Sequence, residues 1–318
     1  MKNNPQHRAV FLVNDNVHIL DMAGPVQAFY ESGTYGIPYE TIFVSNTTRK
    51  NTSSDLMLAN LKHFSKVKVR PTDIIFIPGF ENKYFRNKNN HSFYAWLQAA
   101  HTCGATICSV CTGAFLLAEA GLLDNIPCTT HWRYTDRLQK EYPDAKVISN
   151  KLFVKSDNIY TSAGICTGID LALFLLEERH GAAFTFKVAR EMVVYMRRDG
   201  DESQESFYLQ YRQHIKNNIH YVQDWIIENI QRKITLNQLS ALVHTSPRNF
   251  TRLFKSTTGI SAGQYIEKLR AERAVQLLKG KDKLHAVAND CGLKSVNQLR
   301  SIIKKNKGAL PSDFRGLS

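Results

Sequence analysis

The chain has 318 residues, of which 43% are apolar and 22% charged. That is ordinary for a globular protein and long enough for two domains, each with its own core. Its net charge is +13 at pH 7, and residues 210–318 hold 19 Lys and Arg against 7 Asp and Glu, so nearly all the excess sits in the last third. The N-terminal apolar run over 9–13 is too short for a signal-peptide core or a membrane span, and no other stretch is long enough to cross a bilayer, so a cytoplasmic chain with no membrane partner is expected.

In the first half, the continuous apolar run AVFLV over 9–13 predicts a strand buried on both faces of a sheet. A loop holding Asp21 follows, then a helix around 24–31. Strands are expected over 41–45, 73–78 and 105–110, with a short hairpin strand over 56–61. Helices are expected over 93–101 and 112–120. Three short strands, 146–148, 153–155 and 159–162, precede a long apolar helix over 168–178. The alternation predicts an α/β sandwich with a mostly parallel sheet.

The chemistry of this half centres on ATICSV-C-TGAFLLAEAG. A strand runs straight into Cys111 and then a helix, with the small residues Thr112 and Gly113 leaving room for a ligand. Such an elbow projects its side chain at the sheet's C-terminal edge, where open α/β sheets bind small molecules. Helix-end N–H groups there would favour a thiolate. Burial as a structural cysteine is the competing reading. Cys103, Cys108 and Cys111 also fit a C-x4-C-x2-C iron–sulfur spacing, but 108 falls inside a strand, so no cluster, metal or cofactor is expected. Six cysteines in a chain of this length are not a disulfide framework.

An amphipathic helix over 183–196 leads into the polar stretch RRDGDESQES, which carries no core pattern. The expected division is a domain over 8–185, a linker over 186–214 and a second domain over 215–318. The second domain opens with a helical stripe of Ile219, Val222, Ile226 and Ile230. Leu236, Leu239 and Leu242 form a short helix, and Ser246-Pro247 caps a second one. That helix buries Phe250, Leu253 and Phe254 and exposes Arg248, Asn249, Arg252 and Lys255. Residues 262–278 predict a longer helix, a rigid spacer. A second copy then follows, with a helix over 284–290, a turn at Gly292 and a basic helix over 296–307. Two helix-turn-helices with a localised positive charge are an electrostatic and geometric footprint for duplex DNA. Arg248, Asn249 and Arg252 of the first copy, and Asn297, Gln298 and Arg300 of the second, are the candidate base readers. Lys255, Lys304, Lys305 and Lys307 are expected on phosphate.

On SPRNFTRLFKSTTGISAGQYI and GALPSDFR, residues 215–315 resemble the DNA-binding domain of the AraC family of transcription regulators. The second copy departs from that pattern, with Leu293, Leu299 and Ile303 where aromatics are usual and Ser301 where an arginine is usual. On DNVHILDMAGP, IPGF, SVCTGAFLLAEAGLL, TTHWRY and TSAGICTGIDLALFLLE, residues 8–185 resemble the class I glutamine amidotransferase-like superfamily in its PfpI branch. The resemblance implies a flavodoxin-like α/β sandwich joined to an all-α domain with two helix-turn-helix motifs. Isonitrile hydratases of that branch carry a C-T-G elbow and an acid in the first loop, matched here by Cys111, Thr112 and Asp21. His131 and Trp132 would face the same pocket. The peptidases of the branch carry a histidine after the cysteine, where this chain has Thr112, so proteolysis is disfavoured.

In fused regulators of this kind the first domain generally senses a small, often nitrogen-containing metabolite. The resemblance therefore implies a DNA-binding regulator, not an enzyme, acting as a homodimer with a small-molecule effector. Most relatives activate, which would bring in RNA polymerase, but the residues themselves do not separate activation from repression. The alternative is a cysteine-dependent hydratase or hydrolase with a DNA-binding tail, in which Cys111 attacks and Asp21 moves the proton.

Overall fold

A computed structural model describes residues 7–81, 91–194, 198, 200, 202, 204, 211, 212, 214–278, 280 and 283–315. The chain divides into two compact units, residues 1–204 and 205–318. The sequence-based boundary at 185 leaves out part of the first unit. Helix α6 (Ala182–Glu191) and the described residues Arg198, Gly200 and Gln204 all belong to it. The helix expected over 183–196 stops at Glu191, short of the described residues 192–194, while 195, 196 and 205–210 lie outside the described residues.

Among its described residues, the first unit has eleven strands. They are β1 (His7–Leu12), β2 (Tyr39–Ser45), β3 (Arg49–Asn51), β4 (Met57–Ala59), β5 (Lys62–His63), β6 (Ile74–Ile77), β7 (Thr106–Val110), β8 (Pro127–Cys128), β9 (Lys146–Val147), β10 (Phe153–Ser156) and β11 (Ile159–Ser162). Seven of them form one sheet in the order β10-β11-β7-β6-β1-β2-β5. All its pairings are parallel except the antiparallel edge β10–β11.

The continuous apolar runs arise because both faces of this sheet are covered. Val10, Leu12, Ile75, Ile77 and Ile107 point to one core, with α2 (His91–Thr102), α3 (Ala114–Glu119) and α4 (Thr135–Glu141) over it. Their neighbours Ala9, Phe11, Ile74, Phe76 and Cys108 point to the other, under α1 (Ile19–Thr34), α5 (Thr167–His180) and α6. A period of two across a doubly covered sheet leaves no polar face to read. The charged exception is the buried pair of Arg8 and Asp73, where Nε donates to Oδ1 at 2.9 Å and Asp73 also accepts from the Arg70 N–H at 2.8 Å.

The second unit holds α7 (Asn217–Glu228), α8 (Leu236–Leu242), α9 (Pro247–Thr258), α10 (Ala262–Leu278), α11 (Leu284–Asp290) and α12 (Val296–Lys307). It has two cores that share α10. Ala262, Tyr265 and Leu269 of its first half pack with Ile219, Val222, Leu239, Phe250 and Phe254. Ala271, Ala274 and Leu278 of its second half pack with Val287, Leu293, Leu299, Ile302 and Ile303. A 17-residue helix rises ~25 Å at ~1.5 Å per residue, so each helix-turn-helix sits on its own end of a stiff rod.

Candidate functional site

Cys111 directly follows β7 with φ +57°, a left-handed backbone that a non-glycine residue adopts only under constraint. A 3-10 turn, Cys111–Gly113, then starts α3. Two glycines let other chain segments close on this elbow. A Cβ on Gly113 would lie 2.1 Å from the Ile77 carbonyl oxygen, and one on Gly164 would lie 2.4 Å from the Cys111 Cβ. Thr112 is locked to Phe80. Its hydroxyl accepts from the Phe80 N–H and donates to the Phe80 carbonyl, both at 2.8 Å. The Thr130 hydroxyl donates to the Cys111 carbonyl at 2.7 Å.

Asp21 is fully buried beside this elbow. It does not lie in a loop, as the sequence suggested, but in the first turn of α1, which starts at Ile19 rather than near residue 24. Ile19, Met22 and Ala23 do stand at helical i, i+3, i+4 spacing, a signal too short to place the turn by itself. Tertiary bonds fix the turn instead. Asp21 Oδ2 accepts from the Gly79 N–H at 3.1 Å, and Oδ1 accepts from the Ile165 N–H at 2.7 Å. Gly79 must be a glycine, because a Cβ there would come within 2.3 Å of that Oδ2.

His18 joins the set, with its Nδ1 3.6 Å from Asp21 Oδ2. One ligand atom each from His18, Asp21 and Cys111 lie within 4.8 Å of one another, which makes them, among the described residues, the group able to hold a small cation. Sequence reasoning missed His18, although its i,i+3 spacing to Asp21 was visible. His131 lies close enough to feel the charges of Asp21 and His18. Its neighbour Trp132 is half exposed and carries the Arg133 guanidinium 5.4 Å from its ring centroid.

The electrostatics overturn the expected thiolate. Burial first, and the Asp21 carboxylate second, push the Cys111 thiol far above its ordinary value. A protonated, buried thiol is a poor nucleophile. Iodoacetamide at pH 7.5 should therefore alkylate the exposed Cys103 and Cys166 at least about tenfold faster than Cys111, as read by peptide mass spectrometry. Equal rates would show a thiolate.

Burial, with Arg133 second, lowers His131 below its ordinary value of 6.5, and burial does the same to His7 and His180. A base lowered in the folded state binds its proton preferentially when unfolded. Its contribution is thus intact above the unfolded value of about 6.5 and lost as pH falls below it. The first unit should melt at a lower temperature at pH 5.5 than at pH 7.5 in calorimetry, and the opposite order would contradict this.

In the second unit, the two turn-and-helix copies are offset by 48 residues in their first helices and by 49 in their second. The second turn is one residue longer, with five residues between α11 and α12 against four between α8 and α9. Ser246 and Ser295 cap the two long helices by accepting from the N–H of Asn249 and Gln298, and Gly259 and Gly308 end them in the left-handed region. Arg248, Asn249, Arg252 and Lys255 are exposed on α9, and among the described residues no carboxylate pairs with the three cations. Asn297, Gln298, Arg300, Lys304 and Lys305 are exposed on α12.

The second helix is more committed internally. Gln298 Oε1 accepts from the Lys294 N–H at 2.9 Å, closing a cap. Asn297 Oδ1 accepts from Arg300 at 3.4 Å. Lys305 is 2.8 Å from Glu267 and Lys307 pairs with Glu272, both glutamates on α10. Arg252 aligns with Ser301 in the 49-residue register, so the second helix lacks its counterpart.

A mostly parallel α/β sandwich with a cysteine elbow, followed by a helical unit with two helix-turn-helices, defines a two-domain class of protein. The chain belongs to the DJ-1/PfpI family, which it matches over residues 7–178, and it carries a helix-turn-helix domain over residues 239–316. It is similar to the HTH-type transcriptional regulator GbdR of Pseudomonas aeruginosa, 31% identical over 224 residues, covering 69% of this chain and 60% of that one. The chain thus aligns with less than two thirds of that relative's length. It is also similar to an isonitrile hydratase of Pseudomonas putida, 43% identical over only 76 residues, or 24% of this chain and 32% of that one. Among solved structures, an AraC family transcriptional regulator from Pseudomonas putida superposes with a TM-score of 0.52 at 15% identity, covering 58% of this chain and 99% of that chain. No helix among the described residues is long and apolar enough to cross a membrane.

Proposed function

We propose that the chain is a sequence-specific DNA-binding transcription regulator whose first unit senses a small, nitrogen-containing metabolite at Asp21, Cys111, Thr112 and His131, with Trp132 at the rim. The observation that carries the DNA half is the pair of capped, basic helices on opposite ends of α10, within the segment that holds 19 of the chain's 41 Lys and Arg. A helix of this kind presents its N-terminal turns to base edges in the major groove. Arg248, Asn249 and Arg252 are the base readers of α9. On α12, Asn297 and Arg300 remain available, while Gln298 serves its cap first. Lys255 and Lys304 hold phosphate, and the glutamate partners of Lys305 and Lys307 reduce their share.

The buried thiol favours ligand binding over catalysis, so Cys111 lines the pocket and the chain does not turn its effector over. A homodimer in the cytoplasm, activating through RNA polymerase, completes the reading. The alternative, an isonitrile hydratase-like enzyme with a DNA-binding tail, needs a Cys111 thiolate that burial and Asp21 both oppose.

Two measurements test the proposal. Full-length protein incubated with sheared genomic DNA of its host should enrich a small set of fragments. In a thermal-shift screen of amines, amino acids and betaines, one compound should raise the melting temperature, because a ligand that binds only the folded state stabilises it by mass action. Uniform recovery of all fragments would sink the regulator. Turnover of the stabilising compound that is lost in Cys111→Ser would favour the enzyme.

A further inference from the structure

Three described residues of the polar stretch that reads as a linker, Arg198, Gly200 and Gln204, are bonded to segments next to the Cys111–Asp21 cluster. Arg198 Nε donates to Asp170 Oδ2 at 3.1 Å, and its backbone N–H donates to Oδ1 at 3.3 Å. Asp170 is buried in the first turn of α5, five residues after Ile165, whose N–H holds Asp21. The Leu152 N–H donates to the Gly200 carbonyl at 3.0 Å, and a Cβ on Gly200 would sit 2.6 Å from the Phe153 oxygen, so only glycine seats there.

Gln204 makes the densest anchor. Its Nε2 donates to the Thr130 and Lys151 carbonyls, both at 2.9 Å, with the Thr129 hydroxyl oxygen 3.3 Å away, and its N–H donates to Asn150 Oδ1 at 3.2 Å. Its Oε1 is buried without a hydrogen-bond partner, so the docked state carries a cost as well as a gain. Two chains of contact therefore converge on the pocket. One runs from Gln204 through Thr130 to the Cys111 carbonyl, and the other from Arg198 through Asp170 and the start of α5 to Asp21. Gln204 is also the last residue of the first unit.

We infer that Arg198, Gly200 and Gln204 anchor a coupling strap on the 129–131 loop and the α5 N-terminus, through which a ligand at Cys111 and Asp21 biases the chain entering the DNA-binding unit. This rests on the reading of the first unit as a sensor. Coupling between two sites is reciprocal, so undocking the strap must loosen the pocket, and no effector is needed to detect it.

The test compares amide hydrogen exchange of the full-length protein with that of Gln204→Ala and Gln204→Glu, the second placing an acceptor against three acceptors. In parallel, a reporter is driven by a genomic fragment the protein itself enriches. Exchange should rise about fivefold or more in peptides covering 129–131 and 163–167, more in Gln204→Glu than in Gln204→Ala. Reporter output without added effector should move away from wild type in the same order. Gln139→Ala, a first-unit glutamine that bonds to the Pro143 and Ala145 carbonyls, is the control for a lost side-chain amide. Faster exchange confined to the strap, or pocket loosening with unchanged reporter output, overturns the inference. Failure to enrich any fragment would instead count against the regulator reading, and the exchange comparison would then decide the strap alone.

Discussion

With alanine at both Arg248 and Arg252, the full chain is expected to lose about thirtyfold or more of its affinity for its preferred duplex, with a much smaller loss on a scrambled one. Both side chains are exposed on α9, and among the described residues neither has a carboxylate partner to release before it meets DNA. A well-placed arginine on a base edge contributes ~1–3 kcal/mol of discrimination, so two together give ~2–6 kcal/mol if they act independently. Lys304→Ala should behave differently. It should weaken both duplexes by a similar factor and reduce the slope of log K against log salt by about 0.9. Fluorescence anisotropy at several salt concentrations separates the two patterns. Equal losses on preferred and scrambled DNA in the arginine variant would mean that α9 only grips phosphate.

Gly164→Ala should strongly destabilise the first unit. The backbone there has φ +110°, and the new Cβ would lie 2.4 Å from the Cys111 Cβ and 2.9 Å from its sulfur. Backbone strain of ~1–3 kcal/mol and overpacking of ~1–3 kcal/mol add to roughly 2–6 kcal/mol. Gly181→Ala is the control, since its φ is +83° but nothing lies within 4 Å of the added carbon. It should show the strain alone. Calorimetry of the full chain reads both as a fall in the melting temperature of the first unit, larger for Gly164→Ala. Equal falls would mean that Cys111 is not held as tightly against residue 164 as the geometry requires.

The parts of the fold that were legible in the sequence are those fixed locally or by uniform burial. The runs at 9–13, 73–78 and 105–110 show as strands because both faces of the sheet are covered, and Ser246-Pro247 and Gly259 announce α9 through their own capping chemistry. The Cys111 elbow was visible because a strand, a cysteine and small residues follow one another without a break. The missed features depend on partners distant in sequence. The first turn of α1 is held by Gly79 and Ile165, 58 and 144 residues from Asp21. Lys305 and Lys307 look like free phosphate ligands until α10 brings Glu267 and Glu272 beside them. Arg198 and Gln204 read as part of a linker because hydrogen bonds and one ion pair, not apolar burial, dock them, and such anchors leave no periodic trace in composition.

If α9 and α12 of one unit both read DNA, footprinting of the full-length protein on an enriched genomic fragment should show two protected stretches on one face of the duplex, about one helical turn (~10 bp) apart. In the Arg248→Ala, Arg252→Ala variant the α9 stretch should be lost while the other weakens. Protection that covers any sequence equally, or that is unchanged in that variant, would contradict it.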